Sequence, residues 1–263
     1  MVENLVTVIS SKDKTVKISR DLPTVIIGER INPTGRKAVL AALKEGNFDI
    51  VREDAVKQVA AGAAILDVNA GVPGADETAL LQKVMQEVMS VTDVPLCIDT
   101  ADPEALSAAL SVYEGKALIN SVNGEERSLD AVLPLAKEHG AAVIGLCMIS
   151  PENIAIDPLA LTMGADSNAG RIALETIELV VKEFGVNVTM GASNISFGMP
   201  DRKYINATFI AMAIHAGLTC PITNPLVMEV NTAVLAADLS MGRDEYGMNW
   251  IKAYRNRQKA NAS

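Results

Sequence analysis

Eight short runs of apolar and β-branched residues, set between stretches with helical periodicity, limit most strongly what this chain can fold into. They are TVIIG (24–28), AILDV (64–68), PLCID (95–99), KALIN (116–120), AAVIGLCM (141–148), IAIDP (154–158), NVTMGASN (187–194) and LTCPIT (218–223). Several are continuously apolar instead of alternating, as in strands covered on both faces. Between them lie helix patterns such as DETALLQKVMQEVMSV (76–91), where Leu80, Leu81, Val84, Met85, Val88 and Met89 form one stripe. DPEALSAALSV (102–112) opens with an Asp cap and a proline in the first turn. Eight strands with intervening helices in 263 residues predict a (β/α)8 TIM barrel, an α/β fold, over an open doubly wound sheet. No Gly-x-Gly-x-x-Gly follows the first run, which counts against a dinucleotide-binding fold.

No linker divides the chain, so residues 1–263 read as one barrel domain, with residues 1–22 an N-terminal extension. Within it LVTVISSKDKTVKI (5–18) has the pattern of a β-hairpin turning at residues 11–14. In a barrel it would plug the end opposite the active site. One connection is too short: between Met148 and Ile154 only ISPEN remains. A parallel crossover takes about a dozen residues or more. Either these two strands, the fifth and sixth of the barrel, are joined irregularly or a helix-length piece is missing. The segment PEN, which reads like the tail of a helix-to-strand connection, favours a missing helix.

Composition removes whole classes of function. At 49% hydrophobic the chain is too apolar for disorder. Its longest apolar run, residues 141–149, is less than half of the ~20 residues a bilayer span needs. MVENLVTVISSKDK lacks the basic-then-apolar order of a secretory signal, so the expectation is a cytoplasmic protein with no membrane partner. Cys97, Cys147 and Cys220 sit in strand-like contexts, at spacings unsuited to zinc or an iron–sulfur cluster, and are expected to be buried reduced thiols. A net charge of −9 opposes nucleic acid, leaving a small molecule or a protein as ligand.

Active sites of such barrels form at the C-terminal strand ends. Six of the eight runs end on a carboxylate or an amide: Glu29, Asp67 with Asn69, Asp99, Asn120, Asp157, and Ser193 with Asn194. One such residue would be an ordinary loop cap; six together predict a binding mouth. Asp and Glu without His or Cys can hold a hard cation, but amides suit a neutral heterocycle better, and no metal is expected. A pterin or purine edge alternates donors and acceptors, and one carboxylate can accept two ring N–H bonds in parallel. No Ser/His/Asp set is present, and His139 and His215 fall in helical stretches. In the first loop, Glu29 and Asn32 are expected to brace the mouth wall, while Pro33 and Gly35 turn the chain. For Arg30 two roles stay open, pairing with Asp67 or touching the ligand.

The motifs IGERINPTGR, LDVNAG, CIDTADPEAL, LINSVNGE, IDPLAL, and GASNISFG followed by DRKYINATFIAMAIHAGL occur in that order over residues 24–223. Together they resemble the methyltetrahydrofolate–corrinoid methyltransferases, pterin-binding barrels related to the folate domain of cobalamin-dependent methionine synthase. The likeness is greatest to the subgroup serving anaerobic demethylation, as of glycine betaine. It implies a homodimer of barrels whose mouths bind tetrahydrofolate or 5-methyltetrahydrofolate and transiently admit a separate corrinoid protein carrying cobalamin. It also implies that Asp99, Asn120 and Asp157 bind the pterin edge and that Asn194 approaches N5, the methyl-bearing atom. Gly191, Ser193 and Arg202 belong to the same folate-binding set, Arg202 nearer the folate tail. Glu29, Asn32, Asp67 and Asn69 support the mouth.

The chain departs from the family pattern at the missing crossover helix and at Phe197, where an amide is common; Phe197 either stacks on the ligand or packs against its loop. The cobalt-ligand motif Asp-x-His-x-x-Gly is absent, since Lys137 stands where its Asp would be, so the corrinoid belongs to a partner. Basic residues over 243–257 read as a solvated helix before a docking patch. Two other functions remain open from sequence. A dihydropteroate synthase-like enzyme usually opens with Asn-x-Thr-x-Asp-Ser-Phe, which GERINPTGR lacks. A non-catalytic folate-binding barrel would bind without turnover.

Overall fold

The computed structural model describes residues 5–123, 125–145 and 150–262. Two strands, β1 (Thr7–Ser10) and β2 (Thr15–Ile18), pair antiparallel as the expected hairpin, with Ser11 N–H donating to Lys14 O at 2.9 Å across the turn. Then come β3 (Ile27–Ile31), β4 (Ile65–Val68), β5 (Leu96–Asp99), β6 (Leu118–Asn120), β7 (Ala142–Ile144), β8 (Ile154–Ile156), β9 (Asn187–Gly191) and β10 (Cys220–Thr223). All eight are parallel and follow chain order around a closed barrel, with β10 returning to β3. It is a TIM-type barrel, as the apolar runs predict.

Each strand falls on its expected run, with one displacement. The first was expected over 24–28 and forms over Ile27–Ile31. Thr24 is held instead at the barrel's outer edge, its N–H 2.8 Å and its hydroxyl 2.6 Å from the Asp238 carboxylate. Val25 joins the plug at the barrel base. The fifth run was expected to reach residue 148; residues 146–149, Cys147 among them, lie outside those described.

Helices α1 (Lys37–Lys44), α2 (Asp49–Ala60), α3 (Glu77–Met89), α4 (Pro103–Ser111), α5 (Glu126–Glu138), α6 (Ala169–Phe184), α7 (Arg202–Ala216), α8 (Met228–Ser240) and α9 (Met248–Ala262) surround the strands. Of the stripe on α3, Leu81, Val84, Met85 and Val88 are buried, and Asp76 caps the helix from Ala79 N–H at 3.1 Å. Asp102 caps α4 in the same way, from Glu104 N–H at 2.9 Å. None of these helices is long and apolar enough to cross a membrane among the described residues.

At the short connection, β7 and β8 pair in parallel, Val143 opposite Ile154 and Ile144 opposite Ala155. Among the described residues no α-helix joins them; one 3-10 turn, Pro151–Asn153, leads straight into β8. Among the described residues the crossover helix is thus absent, as ISPEN implied. Ile154 and Ile156 are nonetheless buried, in the cluster that includes Ala173 and Ile177 of α6.

The barrel interior holds Ile27, Ile65, Cys97, Leu118, Ala142, Ile144, Ala155, Cys220 and Ile222 in one cluster with Ile9, Val16 and Ile18 of the hairpin. The hairpin thus seals the N-terminal strand ends, as expected. Asn187, the first residue of β9, fixes it by donating to Thr7 Oγ1 and to Ile18 O, each at 3.0 Å. Sealing one end leaves the other open for strand-end side chains to meet a ligand.

Candidate active site

At the open end lies a cavity of about 500 Å³, within the range of small-molecule sites. Asp99, Asn120, Asp157 and Asn194, which the sequence assigns to four separate strand ends, all line it. So do Glu29, Asn32, Asp67, Gly191 and Arg202 of the predicted set. A second cavity of about 410 Å³ adjoins it between the β5–α4 and β6–α5 loops, sharing Asp99 and Asn120.

The three residues assigned to the pterin edge, Asp99, Asn120 and Asp157, are each fixed by a neighbour. Asn120 Nδ2 donates to Asp67 Oδ1 at 3.0 Å, so its own carbonyl oxygen is aimed by that bond. Asn69 does not line the cavity; its Nδ2 donates to Asp99 Oδ2 at 3.1 Å. Asp157 Oδ1 accepts the Leu159 N–H at 2.8 Å in the loop after β8. Asn194 sits on the 3-10 turn Ala192–Ser196, exposed to the cavity and hydrogen-bonded through its side chain to no described residue. Gly191 makes room for it, since a Cβ there would lie 2.8 Å from Asn194 Nδ2. Asn32 closes an Asx turn by accepting Thr34 N–H at 2.8 Å, and Gly35 takes a φ of 71°.

Ser193 supports the site through Glu29, donating to Oε1 at 2.9 Å. Arg202 Nη2 holds Ser193 O at 2.7 Å and its Nε holds Ser196 Oγ at 3.0 Å. Phe197 lies outside the cavity lining, 68% exposed, with the Arg202 guanidinium 5.8 Å from its ring. The pairing of Arg30 with Asp67 does not form. Arg30 Nε lies 3.5 Å from Asp54 Oδ1, because α2 presents a buried carboxylate beside β3, while Asp67 is taken by Asn120 and the Cys97 thiol.

Burial pushes all four cavity acids above ordinary carboxylate values. Asp67, fully enclosed and facing the Asp99 charge, rises to about 7, although bonds from Asn120 and Cys97 pull the other way. Asp99 is raised by burial and by Glu77, against the bond from Asn69. Burial raises Asp157, opposed by the N–H groups of Leu159 and Gly191. Glu29 is raised by burial too, offset by Ser193, Arg202 and Arg30. The cavity therefore offers acceptors and, near neutrality, a carboxyl proton on Asp67 as well. Sequence reasoning missed Thr34 and Arg36 in the lining, and missed Asp54 and Gln58 behind it. The spacing of those two, one turn apart on a helix facing a strand, was the available signal.

Residues 28–149 match the family of pterin binding enzymes. The chain is 28% identical to the methylcorrinoid:tetrahydrofolate methyltransferase of Eubacterium limosum, over 88% of this chain and 96% of that one. That alignment spans 274 positions, more than the 263 residues present, so the relative has positions without a counterpart here. It is 26% identical to methionine synthase of Mycobacterium tuberculosis over 82% of this chain, a match to only 22% of that longer protein. Among solved structures, dihydropteroate synthase from Thermus thermophilus, in complex with 4-aminobenzoate, superimposes with a TM-score of 0.65. At 20% identity, over 88% of this chain and 99% of that one, the likeness establishes a shared fold.

Proposed function

We propose that this pterin-binding barrel transfers a methyl group between methyl-cobalt on a separate corrinoid protein and N5 of tetrahydrofolate. The product is 5-methyltetrahydrofolate, in one-carbon or demethylation metabolism, and the chain works as one domain in a cytoplasmic homodimer. The observation that carries this reading is the convergence of Asp99, Asn120, Asp157 and Asn194 on one cavity. Similarity to the Eubacterium limosum methyltransferase along nearly its whole length supports it.

The donor set fits a pterin. Asp99 has one oxygen engaged by Asn69, which leaves the other for a ring N–H group, and Asp157, beside the N–H groups of Leu159 and Gly191, keeps further lone pairs for another. One N–H of the Asn120 amide is held by Asp67, which aims its carbonyl oxygen at the ligand. Such prior orientation lowers the entropy lost on binding.

A bound corrinoid supplies the methyl group on cobalt; the chain's own residues place N5 in line with it. Asn194 can present either C=O or NH2, so it hydrogen-bonds N5 whether or not that atom is protonated. As charge changes at N5 in the transition state this bond strengthens, and such groups typically contribute ~10²–10³ in rate.

Calorimetry with tetrahydrofolate alone, followed by turnover with methylcobalamin, tests the proposal. Binding with turnover is expected. Binding without turnover would favour a folate-binding barrel, and absence of both would remove the pterin reading.

A further inference from the structure

Strand β3 breaks a rule that its neighbours keep. Ile27 pairs with Ile65 and Gly28 with Leu66, but Ile31 pairs with Val68, so β3 spends three steps where β4 spends two. That is a β-bulge of one extra residue. Side-chain parity agrees: Ile27 belongs to the barrel interior, whereas Ile31, four residues on, packs outside it with the helices. The slip turns two consecutive residues, Glu29 and Arg30, into the cavity, where a regular strand would deliver one.

A bulge leaves backbone groups without ladder partners, and these need partners elsewhere. Arg30 N–H donates to Gln58 Oε1 at 2.9 Å, and Arg30 O accepts from Arg36 Nη1. Gln58 is fully buried on α2 and does not line the cavity. One turn earlier Asp54, also buried, takes Arg36 Nη1 at 2.5 Å and lies 3.5 Å from Arg30 Nε. Gly28 completes the fit, since a Cβ there would stand 2.5 Å from Gln58 Oε1. We propose that Gln58 is a positioning residue: its buried carboxamide oxygen, in place of the strand ladder, fixes the β3 bulge that faces Glu29 and Arg30 together into the pterin cavity. Only the activity and tetrahydrofolate-affinity parts of this inference rest on the proposed function.

The ligand-free test is NMR on the intact protein. In the wild type the Arg30 amide is expected to exchange slowly. Gln58→Leu should release it and move the Glu29 carboxyl titration down toward the ordinary range, as that side chain leaves its buried place beside Ser193, Arg202, Arg30 and Asp67. Gly28→Ala attacks the same contact from the other side and should reproduce both changes. The double variant should be no worse than the harsher single one, because both remove one interaction. Methyl transfer to tetrahydrofolate should fall by roughly 10²-fold, the usual cost of a misplaced site. In a Glu29→Gln background, Gln58→Leu should cost much less tetrahydrofolate affinity than in the wild type, a coupling that general loosening of the fold would not produce. A folded Gln58→Leu with a protected Arg30 amide and a wild-type Glu29 titration overturns the proposal. If that variant does not fold, Gly28→Ala and wild-type exchange decide alone: a fast Arg30 amide in the wild type, or a protected one in Gly28→Ala, overturns the proposal. Absent methyl transfer with the expected exchange and titration would overturn the functional reading and leave the positioning role standing.

Discussion

The two ends of this barrel are built on opposite principles. The N-terminal end is closed by Ile9, Val16 and Ile18, with its polar groups paired to the hairpin through Asn187 and Lys116. At the C-terminal end, four acids are held together with burial raising each one's pKa. Arg30 and Arg36, the cations nearest the first strand, pair with Asp54, which lies outside the cavity lining. An end built for stability would pair those acids or replace them. Keeping them together under partial burial is the mark of a site waiting for complementary N–H groups.

This contrast breaks if either end answers to the other's perturbation. The largest expected effect is at the plug: Ile18→Ala should cost about 2–5 kcal/mol of stability, read by denaturant unfolding. Tetrahydrofolate affinity of the folded protein should be unchanged; a lost affinity would mean that the ends are coupled. Next, Asn194→Ala should lower methyl transfer ~10²–10³-fold while leaving tetrahydrofolate affinity within a few-fold. Equal losses in both would reduce Asn194 to a binding group. Third, Asp99→Asn places a donor against ring N–H groups and should weaken tetrahydrofolate binding by about 1–3 kcal/mol in calorimetry. An unchanged dissociation constant would reject Asp99 as a pterin ligand.

A fourth test sharpens the contrast through pH. Asp67 titrates near 7 in the folded protein against an ordinary 3.8. Between those values the folded state holds a proton that the unfolded state has released, so this group's contribution to stability falls as pH rises from about 4 to about 7. Asp67→Asn keeps an acceptor for Asn120 and removes the titration. Thermal melts across pH should then show a shallower decline and, at pH 8, a variant more stable than the wild type. An identical slope would mean that Asp67 ionises freely.

Much of this was legible because barrel strands are short, apolar and followed by loops that carry the chemistry. Asp99, Asn120 and Asp157 follow apolar runs directly, and the capping residues Asp76 and Asp102 announce α3 and α4. The five residues of ISPEN were too few for a crossover helix, and none is found there among the described residues. What sequence could not show was the bulge. Glu29 and Arg30 alternate as in any strand, and only the positions of Ile27 and Ile31 on opposite faces reveal the slip. The supports were hidden for the same reason. Asp54 and Gln58 look like polar helix residues facing water until the fold buries them against β3. Arg30 was open to Asp67 in sequence because both lie near strand ends; α2 supplied a nearer carboxylate.

The most direct test of the account is a crystal structure of the protein with tetrahydrofolate bound. The account predicts the pterin edge on Asp99, Asn120 and Asp157, with N5 within hydrogen-bonding distance of the Asn194 carboxamide. A pterin seated wholly in the adjoining cavity between the β5–α4 and β6–α5 loops, away from Asp157 and Asn194, would contradict it.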